Sequence, residues 1–157
     1  MGEVQQGVYP VYENQFKIGI KGKTSEEGDM VTPADLETFS VSMDNGVEEW
    51  TPMDTEGWIR RLLTAKSITI SLSGKRNIGD AGNDYLFGLA FVTGQKAETK
   101  FEWNFPSGAK LEFPQAVISV TTPGGGDSTA VDALEFDVMS NGKPTFTAAP
   151  APTPPAA

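Results

Sequence analysis

Ser71–Phe91, SLSGKRNIGDAGNDYLFGLAF, gathers the residues best suited to chemistry: a Gly-Lys-Arg triplet, then Asp80, Asn83 and Asp84 set among glycines. A calcium loop places oxygen ligands at alternate positions, with Gly at the sixth and Glu at the twelfth. Counted from Asp80, the third position is Gly82 and the twelfth is Phe91, so the pattern fails. The expected role is a turn from a strand into a helix, with Asp80 as its N-cap. Lys75 and Arg76 are then surface partners for acidic neighbours. Lys17–Thr24, KIGIKGKT, ends like a phosphate-binding loop, but Lys17 stands where that loop needs its first glycine. A strand end and a basic turn are expected there instead. TPGGGDS at Thr122–Ser128 has the consecutive glycines of an anion nest, yet no basic neighbour and no helix start follow it. It reads as a connection between strands.

The remaining candidates are carboxylates and tryptophans. Glu26/Glu27 and Glu48/Glu49 are adjacent in loop-like sequence, without the fixed separation that acid–base catalysis requires. The chain has no Cys and no His, which removes thiolate chemistry, the commonest zinc ligands and any Ser-His-Asp triad. No enzyme, metal or cofactor is expected. Trp50 and Trp58 flank TPMDTEG. They suit stacking on a sugar, or packing an arm against a neighbouring subunit. The first use, with Trp103, defines a second reading: a carbohydrate-binding β-sandwich module. The net charge is −9, from 21 acidic and 12 basic side chains, which argues against gripping nucleic acid. The opening MGEVQQGVYP lacks a charged-then-apolar signal pattern, and no apolar run approaches membrane-spanning length. A soluble, cytoplasmically made protein is expected.

Period-two alternation must position these residues. Phe39/Val41/Met43, Ile68/Ile70/Leu72, Phe101/Trp103/Phe105 and Leu134/Phe136/Val138 each oppose polar neighbours and read as half-buried strands. In KLEFPQAVISV the apolar residues change phase at Pro114–Gln115, which predicts a bulge or bend. PSGAK reads as a hairpin loop, and VYENQFKIGI as a less regular first strand. Asp80 caps a predicted helix to about Phe91, with Ala81, Tyr85 and Leu89 on one stripe. Thr55–Thr64 is a weaker helical segment. Thr24–Trp58 holds ten acids and no Lys or Arg, and reads as loop excursions, within 21–35 and 44–60, around the Phe39 strand. Residues 148–157 form a Pro/Ala-rich stub expected to be disordered. The fold class is mainly β, a β-sandwich or rolled antiparallel sheet with one flanking α-helix and long loop arms.

Three blocks together resemble the major tail tube protein of long, non-contractile-tailed bacteriophages. They are EEWTPMDTEGWIRR at Glu48–Arg61, GKRNIGDAGND at Gly74–Asp84, and PGGGDST before the last strand. The resemblance spans about Val8–Phe146 and implies a tail tube β-sandwich domain over 1–147, with an N-terminal arm at about 1–8. It implies subunits that form hexameric rings stacked into a hollow tube, a virion component assembled in the host cytoplasm. An inner sheet from each subunit would join its neighbours around the lumen, while arms reach adjacent rings. The implied partners are the chain itself, a tape-measure protein, and tail tip, baseplate and terminator proteins. DNA would transit the bore without specific binding, and no membrane is involved. A phage-derived tail-like particle would use the same fold. The candidate subunit contacts are Glu48, Glu49, Trp50, Trp58, Arg60, Arg61, Lys75 and Arg76, with Arg60 and Arg61 expected to meet acids of another chain.

Overall fold

The computed structural model describes residues 6–149. The start of the N-terminal arm and nearly all of the 148–157 stub lie outside the described residues. The strands are β1 (Gln15–Gly19), β2 (Met30–Val31), β3 (Leu36–Trp50), β4 (Arg60–Lys75), β5 (Glu98–Asn104), β6 (Lys110–Thr122), β7 (Ala133–Met139) and β8 (Thr145–Thr147). Among the described residues, one α-helix, α1 (Ala81–Leu89), follows β4. All strands belong to one antiparallel sheet in the order β2-β1-β5-β6-β7-β4-β3, with β8 beside the start of β6.

The sheet rolls until strands distant in that order touch. Phe39 of β3 meets the ring of Phe16 on β1 at 4.8 Å and that of Trp103 on β5 at 5.6 Å. The rolled form is therefore the one adopted. The enclosed core contains Ile18, Ile70, Leu72, Phe101, Phe113, Phe136 and Val138, and Leu86 and Leu89 of α1 pack against it. These are the inward residues of the alternating runs, where removal of apolar surface from water drives folding. The phase change in β6 is a bulge. Thr99 pairs Ala116 and Phe101 pairs Phe113, so two steps on β5 oppose three on β6. Pro114 and Gln115 are exposed there while Phe113 and Ala116 stay buried.

Three expectations are corrected. Thr55–Thr64 is not helical, because Arg60 onward is strand β4, paired with β3. Glu56 and Gly57 have φ of 52° and 91° and form the turn before it, so cross-strand pairing overrides the weak local helical preference. The excursion within 44–60 is not a loop throughout, since β3 continues to Trp50. On α1 the buried stripe is Gly82, Asn83, Leu86 and Leu89, not Ala81, Tyr85 and Leu89. Ala81 is exposed and Tyr85 is half-buried. A reading by apolar spacing passed over the polar Asn83.

Gly74 tests the close approach of β4 to the start of β3. A Cβ there would lie 2.1 Å from the Asp35 carbonyl oxygen and 2.7 Å from Leu36 Cα, both backbone atoms. Gly74→Ala is expected to destabilise the fold by about 1–3 kcal/mol, seen as a thermal midpoint lower by several degrees. An unchanged midpoint would show that the Asp35–Leu36 backbone yields freely.

Candidate assembly interface

The β3–β4 hairpin is the longest strand pairing among the described residues, running from Leu36↔Gly74 to Trp50↔Arg60. Only Thr69–Lys75 of β4 also pairs with β7, so the remainder projects beyond the sheet. A bulge lies where Gly46↔Ala65 gives way to Val47↔Leu63. This projecting part does not bury its apolar residues on the chain's own core. Val47, Trp50, Met53, Ile59 and Leu63 are exposed, Leu62 is 59% exposed and Trp58 is 79% exposed. Grouped apolar exposure of this kind makes the hairpin a candidate interaction surface.

The charged candidates on the hairpin find partners across it. Arg61 Nε donates to Glu49 Oε1 at 2.7 Å, and the Arg60 guanidinium lies 5.7 Å from the centre of the Trp50 ring. Both pairs sit opposite each other in the strand register. Glu48 is opposite Leu62 and exposed. Within one chain, then, Arg61 already has a carboxylate and Arg60 an aromatic face.

Beyond the hairpin, the strand register separates two faces. Rows crossing β3, β4, β7 and β6 alternate between Val41–Ile70–Val138–Ile118, whose last three residues are buried in the core while Val41 at the edge is exposed, and Ser40–Ser71–Asp137–Ser119 on the opposite face. The neighbouring outer row holds Thr38, Ser73, Glu135 and Thr122. Thr38 and Ser73 hydrogen-bond through their hydroxyls, and Thr122 Oγ1 donates to Glu135 Oε2 at 2.8 Å. The outer face is thus hydroxyl-rich and acidic. This four-strand portion also has two free edges. Among the described residues, β3 pairs only with β4, and no strand flanks Ile118–Thr122 on the side away from β7.

The loop between β4 and α1 has a structural purpose. Asp80 Oδ2 accepts from the backbone N–H of Asn83 and of Ala34, both at 3.0 Å, so the expected cap also ties the helix to the segment before β3. Asn83 is fully buried. Its Oδ1 accepts from Arg76 at 2.9 Å and from the Asn77 N–H at 3.1 Å, while its Nδ2 donates to the carbonyls of Lys75 and Ala34. Sequence reasoning missed this hub. Lys75 is half-exposed and pairs with Glu37 at 3.2 Å. Arg76 is not at the surface as expected. Its side chain is only 12% exposed, bridged to Asp84 at 2.8 Å and laid over the Phe87 ring at 4.6 Å.

Two carboxyl groups are held below their ordinary range. Asp84 is stabilised as an anion chiefly by its hydrogen bond from Arg76, then by the Gly79 N–H. For Asp29 the backbone N–H of Glu26 dominates, with Lys21 assisting. A depressed folded-state pKa adds stability above the unfolded value and loses it as pH falls through the folded value. Asp84→Asn is therefore expected to lower stability at pH 7, and the difference should begin to shrink below about pH 4 and vanish once pH is below the depressed folded-state value. Urea unfolding at both ends of that range checks this; a gap that persists in acid would assign the effect to packing.

The other motifs resolve into local structure. Gly22–Thr24 is a short turn after β1, with Lys21 paired to Asp29 and Lys23 to Glu98. TPGGGDS lies in the β6–β7 connection, where the Gly125 N–H donates to Asp132 of the same chain at 3.2 Å. Trp103 is packed on the core, and its indole N–H donates to Asn14 at 2.9 Å. That leaves the carbohydrate reading with Trp50 and Trp58 alone. No helix among the described residues is long and apolar enough to cross a membrane.

No protein-family model matches the sequence, and no curated sequence does. The fold, however, is shared with solved chains of tail-like particles. One comes from the tail of an empty gene transfer agent particle refined with C6 symmetry: TM-score 0.67, 20% identity, 90% of this chain and 100% of that one. Another belongs to a PVC sheath–tube complex of an extracellular contractile injection system in its extended state: TM-score 0.62, 14% identity, 92% and 95% covered. A third is from the tube-terminating cap of the anti-feeding prophage: TM-score 0.63, 16% identity, 92% and 94% covered. At such identities the likeness establishes a common fold.

Proposed function

We propose that this chain is a structural subunit that assembles into stacked hexameric rings, forming the hollow tail tube of a phage or tail-like particle. The observation that carries the proposal is the four-strand portion β6-β7-β4-β3, open at both edges and polar on its outer face. An exposed edge invites strand addition, and two different edges on one subunit give a head-to-tail contact that closes into a ring. With an even number of antiparallel strands, β3 of one copy meets β6 of the next antiparallel, so the sheet continues without a break in pattern. The hydroxyl and carboxylate rows then face the bore. The C6 symmetry of the similar gene transfer agent tail supports six copies per ring.

Such a bore would let DNA pass without holding it. Glu135 and Asp137 on the outer rows repel phosphates, and the chain's net charge of −9 adds to that field. The expected result is no duplex-DNA binding by the purified protein even at low salt; a measurable shift in a titration with short duplexes would count against it. The tape-measure, tip and terminator proteins remain the proposed partners, and the role is structural rather than enzymatic.

Light scattering across a concentration series tests the proposal. Growth to large particles, alone or on adding tip complex and tape-measure protein, supports it. A monomer under all those conditions rejects it. Glycan pull-down would then test the binding-module reading.

A further inference from the structure

A groove of about 600 Å³ opens at the base of the hairpin, floored by Met43, Leu63, Ile68, Leu111 and Phe146. It continues the inward-facing rows of β3 and β4 past the point where the core ends, so Met43 and Leu63 are exposed. Lys66 and Lys143 also line it. Neither forms an ion pair among the described residues, and Lys66 Nζ reaches only the side-chain oxygen of Asn45, at 3.3 Å. The groove is apolar within and cationic at its rim.

The hairpin tip has the opposite character. Met53, Trp58 and Ile59 are exposed apolar side chains, and Asp54 and Glu56 stand beside them without a basic partner among the described residues. From the tube reading above, on which this inference rests, we infer that the Trp50–Ile59 tip of one copy seats in the Lys66/Lys143 groove of another copy. Apolar side chains of the tip fill the groove, and Asp54 and Glu56 meet the two lysines. Another exposed apolar stretch, Val8–Tyr12, has one acid beside it, Glu13, where the tip offers two flanked by exposed apolar side chains. Charge complementarity selects the tip. Contact desolvates the Trp58 ring and the groove floor, which supplies affinity, while the ion pairs fix register.

Zero-length carbodiimide coupling joins a carboxylate to a lysine in contact, so wild-type particles, half of their chains isotope-labelled, carry the test. Mixed-isotope peptides linking Asp54 or Glu56 to Lys66 or Lys143 are expected in the particles and absent from monomer. In parallel, Lys66→Glu with Lys143→Glu should raise the concentration needed for growth by about tenfold or more, and adding Asp54→Lys with Glu56→Lys should restore it. Particles that grow normally from the lysine double variant overturn the inference and leave the tube reading intact. So do links that tie the two lysines to the N-terminal segment instead. Wild-type protein that never assembles, even with tip complex, overturns the tube reading and this inference together.

Discussion

Arg60→Glu combined with Arg61→Glu is expected to abolish growth of the proposed tube while the monomer stays folded. This is the largest functional effect expected of any surface change in the chain. Both side chains lie on the part of the hairpin that pairs only with itself, away from the core. Arg61 forms an exposed pair with Glu49, and such pairs contribute about 1 kcal/mol or less. Arg60 over an exposed Trp50 is of similar worth, about 0.5–1 kcal/mol. The monomer therefore tolerates the reversal. The assembled state should not, because two basic groups become four extra units of negative charge difference beside Glu48 and Glu49, on a surface repeated around every ring. Circular dichroism and light scattering on the same sample separate the outcomes. Normal tubes from the double variant would remove Arg60 and Arg61 from the interface, leaving them as partners within the hairpin.

The largest stability effect should come from Asn83→Ala. Asn83 is fully buried and spends its side-chain oxygen and nitrogen on four partners drawn from three segments: the turn before α1, the end of β4 and the Ala34 carbonyl before β3. Truncation removes these bonds together and strips Arg76 of one of its acceptors. A buried group left without a partner costs about 1–3 kcal/mol, so a loss of about 3–5 kcal/mol is expected from the set. That is a large share of the 5–15 kcal/mol typical of a whole domain, roughly the margin on which it survives. Equilibrium urea unfolding measures it directly. A loss below about 1 kcal/mol would mean that water replaces the amide at little cost.

Sequence made the sheet legible because one face of each strand is buried and the other is not. Ile68/Ile70/Leu72 and Leu134/Phe136/Val138 announced β4 and β7, and the phase slip at Pro114–Gln115 announced the bulge in β6. The same logic fails where neither face is buried. From Asp44 to Ser67 the hairpin has no alternation enforced by a core, so Glu48–Trp50 read as loop and Thr55–Thr64 as weak helix. Arg76 and Asn83 were illegible for another reason. Their burial depends on one another and on Asp84, Phe87 and Ala34, which no local pattern connects. Lys75, by contrast, does meet an acidic neighbour, Glu37, with its side chain half-exposed. Among the interface candidates, the two tryptophans drew attention to the hairpin tip, where Trp50 and Trp58 are exposed. The groove with Lys66 and Lys143 joins residues too far apart in the chain for any spacing rule.

The central claim is that copies of this chain close into rings whose Ser/Thr and acidic rows face a bore. End-on electron micrographs of protein grown at high concentration, or on a tip complex with tape-measure protein, test it most directly. Hollow six-fold rings are expected, with density continuous from the β3 edge of one copy to the β6 edge of the next. Solid aggregates, or particles in which those two edges remain apart, would contradict it.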